Sequence, residues 1–154
     1  MPRGAPPIGL ARTLAATVLA VWATSHTVAA QRLPLRTLTT ADGLPRDQIE
    51  CVRTDGRGFV WFCTPEGLAR WDGHVAVTYG DREGLNPTAV RSFSRTRSGR
   101  HWVGTDAGLF EFAATAPAGA PRFHQVRRHD DRRTGSVYAI AESRDGSLWC
   151  GTGH

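Results

Sequence analysis

The chain has 154 residues, 40% hydrophobic and 21% charged, the make-up of one ordinary folded domain and too little for several. Its net charge of +5 is carried by arginine alone, since no lysine occurs. The arginines are scattered among acids rather than gathered into a stripe, which argues against a nucleic-acid surface.

The first thirty residues differ from the rest. A short start with Arg3 and Arg12 precedes the uncharged apolar run "TLAATVLAVWA" (13–23), and "TSHTVAA" ends on small residues at Val28 and Ala30. This is the three-part pattern of a secretory signal peptide, and the run is shorter than the roughly 20 residues a membrane span needs. The expectation is cleavage after Ala30, a mature chain starting at Gln31, and a periplasmic or extracellular location. No second apolar run of spanning length follows. Export also removes the chain from nucleic acid.

The mature part repeats itself. Trp61, Trp102 and Trp149 stand 41 and 47 residues apart, and other residues keep fixed offsets from them. Gly58, Gly99 and Gly146 lie three before; Thr64, Thr105 and Thr152 lie three after. Gly67-Leu68 and Gly108-Leu109 start six after; Gly43-Leu44 and Gly84-Leu85 start eighteen before; Ile49, Val90 and Val137 lie twelve before. Each copy reads as short strands in order. "QIECVR", the turn "TDGRG", then "FVWFC", "GLARWD" and "VAVTYG" form the first. "AVRSFSR", "TRSG", "RHWVG", "GLFEF" and "RFHQV" form the second. "VYAIAES", "RDG" and "SLWCG" begin the third. Glycine in the turns accepts positive φ, and Asp-Gly or Ser-Gly between β-rich runs signals a hairpin. Apolar residues three apart, such as Ile49 and Val52, point to both faces of a strand, as in a sheet packed between two neighbours. Four short strands per 40–47 residues is the pattern of β-propeller blades, here about 36–79, 80–126 and a partial 127–154. The fold class is therefore all-β, an incomplete ring of two to three four-stranded antiparallel blades.

On this reading the repeated residues are blade mechanics. Trp61, Trp102 and Trp149 wedge against an adjacent sheet. Thr64, Thr105 and Thr152 bond into the following turn, Gly58, Gly99 and Gly146 make the hairpins, and Gly67 and Gly108 turn the chain into the third strand. Gly104 and Gly151 permit close backbone approach.

Cys51 and Cys63 flank one hairpin and could bridge, but each also fits as a small buried strand residue. The expectation is of unbridged, buried thiols. Cys150 is the third. No Cys/His spacing suits zinc. His129, Asp130 and Asp131 form a run that reads as a solvated mixed-charge loop. His74, His101 and His124 have no evident carboxylate or nucleophile partner. With no Gly-x-Ser-x-Gly, phosphate loop or His-Glu-x-x-His, the sequence offers no catalytic, cofactor or metal residues.

The stretch "TADGLPRDQIECVRTDGRGFVWFCTPEGLARWDG" resembles the two-component regulator propeller repeat, with its Asp-Gly-Leu-Pro lead-in, Asp-x-x-Gly turn, Trp strand and Gly-Leu-x-Arg exit. "REGLNPTAVRSFSRTRSGRHWVGTDAGLFEF" matches with small departures. The third copy has "RDGSLWCGTG" but "DDRRTGSV" in place of the lead-in. The resemblance spans about 36–154. It implies the N-terminal part of a periplasmic sensor region of a hybrid histidine kinase-like signalling protein. Its ligand is unnamed, with saccharide the class implied, and its partners are further blades and an output domain of the same protein. No kinase or receiver residue carries over, because no segment here matches one. The 124 mature residues hold fewer than three blades against the four to eight of a closed ring, so the expectation is a piece of a longer protein. Two other readings stand beside the sensor: part of an exported propeller lyase or glycosidase, or a structural or adhesion propeller with no output domain.

Overall fold

The computed structural model describes residues 34–85, 89–117, 119–127 and 135–153. The expected leader, its cleavage point after Ala30, and the run His129, Asp130 and Asp131 lie outside them. From Thr37 onward the chain forms one unit, built of ten antiparallel strands. They are β1 (Cys51–Thr54), β2 (Val60–Thr64), β3 (Gly67–Trp71), β4 (Ala76–Tyr79), β5 (Val90–Arg95), β6 (His101–Thr105), β7 (Gly108–Phe112), β8 (Phe123–Gln125), β9 (Val137–Glu142) and β10 (Leu148–Thr152). Two sheets have four strands in sequence order, β1-β2-β3-β4 and β5-β6-β7-β8, and β9 pairs with β10. Among the described residues there is no α-helix, and none long and apolar enough to cross a membrane.

The strands fall where the repeat predicts, and so do the turns. A short 3-10 turn opens each of the first two sheets, Thr40–Asp42 and Asp81–Glu83, at the same repeat position. Each ends on a left-handed glycine, Gly43 or Gly84, followed by a buried leucine, Leu44 or Leu85. The first lead-in is tied to the outer strand of its own sheet, where the Thr78 hydroxyl donates to the Gly43 carbonyl at 2.6 Å. The second is tied at Arg122, whose N–H donates to the Glu83 carbonyl at 2.8 Å. At Gly67 the backbone has φ 144° and a Cβ would lie 2.6 Å from the Tyr79 carbonyl oxygen, so both conformation and space demand glycine.

The core lies between sheets rather than within one. Trp61 and Cys63 share a face of β2, and that face lies against the second sheet. The Trp61 ring stacks on Phe93 at 4.6 Å and meets Phe112 edge-on at 5.5 Å. Tyr79, Phe112 and Phe123 continue the aromatic layer at edge-on and tilted angles, the geometries that suit ring quadrupoles. One repeat later, Trp102 packs with Leu109 and Val137 against Ile140, Leu148 and Cys150. The Ser92 hydroxyl donates to the Val137 carbonyl at 3.2 Å, and Gly104 sits against both groups, so the backbones of the second and third sheets approach closely, as expected for Gly104.

Two expectations are corrected. Cys51 and Cys63 are joined as a disulfide, not left as separate thiols. They oppose each other directly in the β1–β2 register with Cα atoms 4.8 Å apart, within bridging range. Trp149 is not buried: it is 68% exposed.

Candidate functional site

The repeated residues do mechanical work. Thr64 Oγ1 donates to the Gly67 carbonyl at 2.9 Å and accepts from the Glu66 N–H at 3.2 Å. Thr105 does the same with Gly108 and Ala107, at 3.0 and 3.1 Å. Both hydroxyls thus hold the tight turn between second and third strands, as expected, while Thr152 is exposed. Gly58, Gly99 and Gly146 all have positive φ, between 87° and 93°, in the first hairpin of each sheet. Trp61 is 1% exposed and Trp102 9%. These positions are buried or spent on the backbone.

Other positions change their side chain from copy to copy. Glu50, Arg91 and Tyr138 all lie eleven before the tryptophan, at the start of the first strand of each sheet. In the second sheet the register passes from Val90–Thr105 to Ser92–Gly104, leaving Arg91 as the extra residue of a β-bulge. In the third it passes from Val137–Thr152 to Ala139–Gly151, leaving Tyr138. In the first, the Glu50 N–H donates at 2.8 Å to the carbonyl of Cys63, the residue that Cys51 already opposes. Register shifts in the second and third sheets turn out Arg91 and Tyr138, while Glu50 holds the same repeat position just before β1.

They meet. Arg91 binds Asp106 in the β6–β7 turn with two bonds, Nε to Oδ1 at 2.9 Å and Nη2 to Oδ2 at 3.0 Å. Its Nη1 lies 3.3 Å from Glu50 Oε1, and its guanidinium carbon 6.0 Å from the Tyr138 ring centre. The Asp106 carboxylate holds the Arg91 guanidinium above its ordinary range, and Arg91 in turn holds Asp106 below its own. Gln48 donates to Glu50 Oε1 at 3.0 Å, and the Ser136 hydroxyl reaches the Asp106 carbonyl at 3.5 Å. The same end of the first sheet carries a cleft of about 520 Å³ lined by Pro65, Glu66, Asp81, Arg82 and Glu83 among others.

At the opposite end the structure gives His101 a carboxylate partner that the sequence did not reveal. His101 Nε2 lies 3.8 Å from Asp55 Oδ2, and both residues are buried. Asp55 accepts the Trp61 indole N–H at 3.2 Å and the Arg57 N–H at 2.8 Å. Burial pushes the Asp55 carboxyl up, but these bonds outweigh it and keep it below its ordinary value; burial pushes the His101 imidazole down. His101 sits among the rings of Trp61, Phe93 and Phe112, which leaves no room for a nucleophile or substrate. His74 and His124 are exposed. Among the described residues no three His, Cys, Asp or Glu side chains converge as metal ligands.

Residues 132–154 match the family model described as two component regulator propeller. That match falls on the third copy. The structure is similar to the extracellular domain of a putative hybrid two component system from B. thetaiotaomicron, with TM-score 0.50 and 20% identity. The likeness covers 71% of this chain and 13% of that one, and at this identity it bears on fold alone. No curated protein matches the chain. The sheets are blades of the propeller type, the third carrying the matched propeller repeat.

Proposed function

We propose that this chain is an exported, ligand-binding segment of a β-propeller sensor that itself performs no catalysis. The observation that carries it is the match of the third copy to the two component regulator propeller, in a chain whose sheets repeat one design. The likeness to an extracellular domain of a hybrid two component system supports the propeller fold in this reading. On this reading blade mechanics are held constant while the bulge residues vary, which is what a binding scaffold requires. The carboxylates of Glu50 and Asp106 around Arg91 orient groups without offering an activated nucleophile or a dry acid–base pair, which favours binding over bond-breaking. The leader pattern at 1–30 supplies the route of export.

The test is expression of the whole chain with its own leader in a Gram-negative host. The outcome expected is recovery in the osmotic-shock fraction with Gln31 as first residue by mass spectrometry. Retention of the intact chain, Met1 included, in the cytoplasm would overturn export and with it the sensor reading.

A further inference from the structure

We infer that the hairpin ends of the three sheets form a basic docking surface for an anionic phospholipid layer, through Arg57, Arg95, Arg97, Arg100 and Arg144. The inference goes beyond the sensor reading, and its failure leaves that reading standing.

Three observations carry it. First, packing collects arginines that the sequence scatters. The hairpins 55–59, 96–100 and 143–147 each contain arginine, and they are tied side by side. The Arg95 guanidinium lies between the first two tips: a Cβ on Gly56 would be 3.5 Å from its Nη1, and one on Gly99 3.3 Å from its Nη2. Arg97 joins the second tip to the third. Its N–H donates to Glu142 Oε2 at 2.8 Å and its guanidinium to the Ser143 carbonyl.

Second, the arginines of this row stand outside their acids. The Arg97 and Arg100 side chains are 61% and 55% exposed, while those of Glu142 and Glu111, which they meet, are 15% and 32% exposed. Asp55 is buried and turned toward Trp61 and His101. Arg57, Arg95 and Arg144 are exposed, with no carboxylate partner among the described residues. Asp145, an exposed acid in the row, accepts bonds from Ser143 and the Ser147 N–H. The opposite end lacks this polarity. There Arg46 meets Glu66 with both equally open to solvent, and Arg91 is enclosed by Glu50 and Asp106. An approaching anion therefore meets positive charge first at the hairpin end.

Third, shape and chemistry select the partner. The tips project, with nothing within 4 Å of a Cβ added at Gly58 or Gly146, so they suit a broad surface rather than a small enclosed anion. Residues 96–100 and 143–147 include no large apolar side chain, so the contact is electrostatic and needs no insertion. Guanidinium forks match phosphate oxygens, and basic clusters are drawn to anionic lipid. A layer of headgroups offers phosphate to every tip, where a folded protein would need acids matched to three.

The test is co-sedimentation of the whole exported chain with phosphatidylcholine vesicles, with and without phosphatidylglycerol, at low and high salt. Binding is expected only where phosphatidylglycerol is present, and it should be lost as salt rises. Arg57→Gln/Arg95→Gln should weaken it tenfold or more with unchanged melting temperature at neutral pH, since neither side chain holds an acid. Arg46→Gln/Arg82→Gln removes the same charge at the opposite end and should leave binding nearly unchanged. Equal losses in the two variants would mean attraction by net charge and overturn the surface. Binding to both kinds of vesicle, or to neither, overturns phospholipid charge as what is recognised. Release from vesicles by glycerol phosphate would indicate a small-anion site, and tighter binding to polyglutamate than to vesicles an acidic protein partner; either result overturns the lipid surface.

Discussion

His101 stands where the other copies have Val60 and Leu148, and the substitution has a pH cost. Its Nε2 is buried with no hydrogen-bond partner, and Asp55 at 3.8 Å is the facing carboxylate. Arg57 and Arg95 lie close enough to oppose a proton there, and burial opposes it more. The folded-state value therefore lies below the unfolded value of about 6.5. Above that pH both states carry a neutral ring and the site contributes nothing pH-dependent. As pH falls below about 6.5 the unfolded chain takes up the proton first, so stability declines until the folded value is passed. His101→Phe, which keeps the ring contacts with Trp61, Phe93 and Phe112, should flatten the fall of the urea midpoint as pH drops just below about 6.5. An unchanged slope would count against His101 as its source. Asp55 acts lower, as its depressed value is approached, and should leave this window untouched.

Between the first two strands, the bridge from Cys51 to Cys63 closes a short loop around the hairpin, a sequence separation of 12. It limits the unfolded chain and joins the edge strand β1, whose residues 52–54 are exposed, to the buried second strand. For a loop of this size the stabilisation is about 3 kcal/mol. Reductant should lower the stability of the native chain by roughly that amount, measured by urea unfolding, and should have no effect on the Cys51→Ala/Cys63→Ala double variant. Cys150, half-buried and unpaired, gives the control: Cys150→Ser should keep the full response to reductant. The same hairpin in the second sheet manages without a bridge because Ser92 and Gly104 occupy those positions, and that space is used for contact with the third sheet.

Across the whole molecule, stability runs from sheet to sheet as in other stacked repeats, each unit relying on its neighbour. The boundary between first and second sheets is aromatic and broad, from Trp61 to Phe123. The boundary between second and third is smaller, with Trp102, Leu109 and Val137 at its centre. It depends on the absent side chain at Gly104. Gly104→Val would drive a branched side chain into Ser92 and the Val137 backbone. Hydrogen exchange should then speed up by tenfold or more in β9 and β10 while β2 and β3 stay protected. Uniform acceleration in all strands would mean that the sheets unfold as one cooperative body rather than as neighbours.

The sequence by itself determined the repeat, the order and extent of the strands, and the jobs of the Trp, Thr and Gly positions in the first two copies. These are set by local chemistry: a hairpin needs a positive-φ glycine, and a turn-closing hydroxyl must stand at a fixed offset. Other features were decided by tertiary structure alone. Cys51 and Cys63 become a bridge because strand register places them opposite each other, which spacing alone leaves open. His101 gains Asp55 only when two sheets pack, since 46 residues separate them in the chain. Glu50, Arg91 and Tyr138 share no residue type, so no motif search finds them. Arg91 comes within reach of Glu50 and Tyr138 because register shifts turn out Arg91 and Tyr138 and the sheets stand side by side. Trp149 shows the converse: its identity is that of a core residue, but burial requires a neighbour, and sequence identity alone does not provide one.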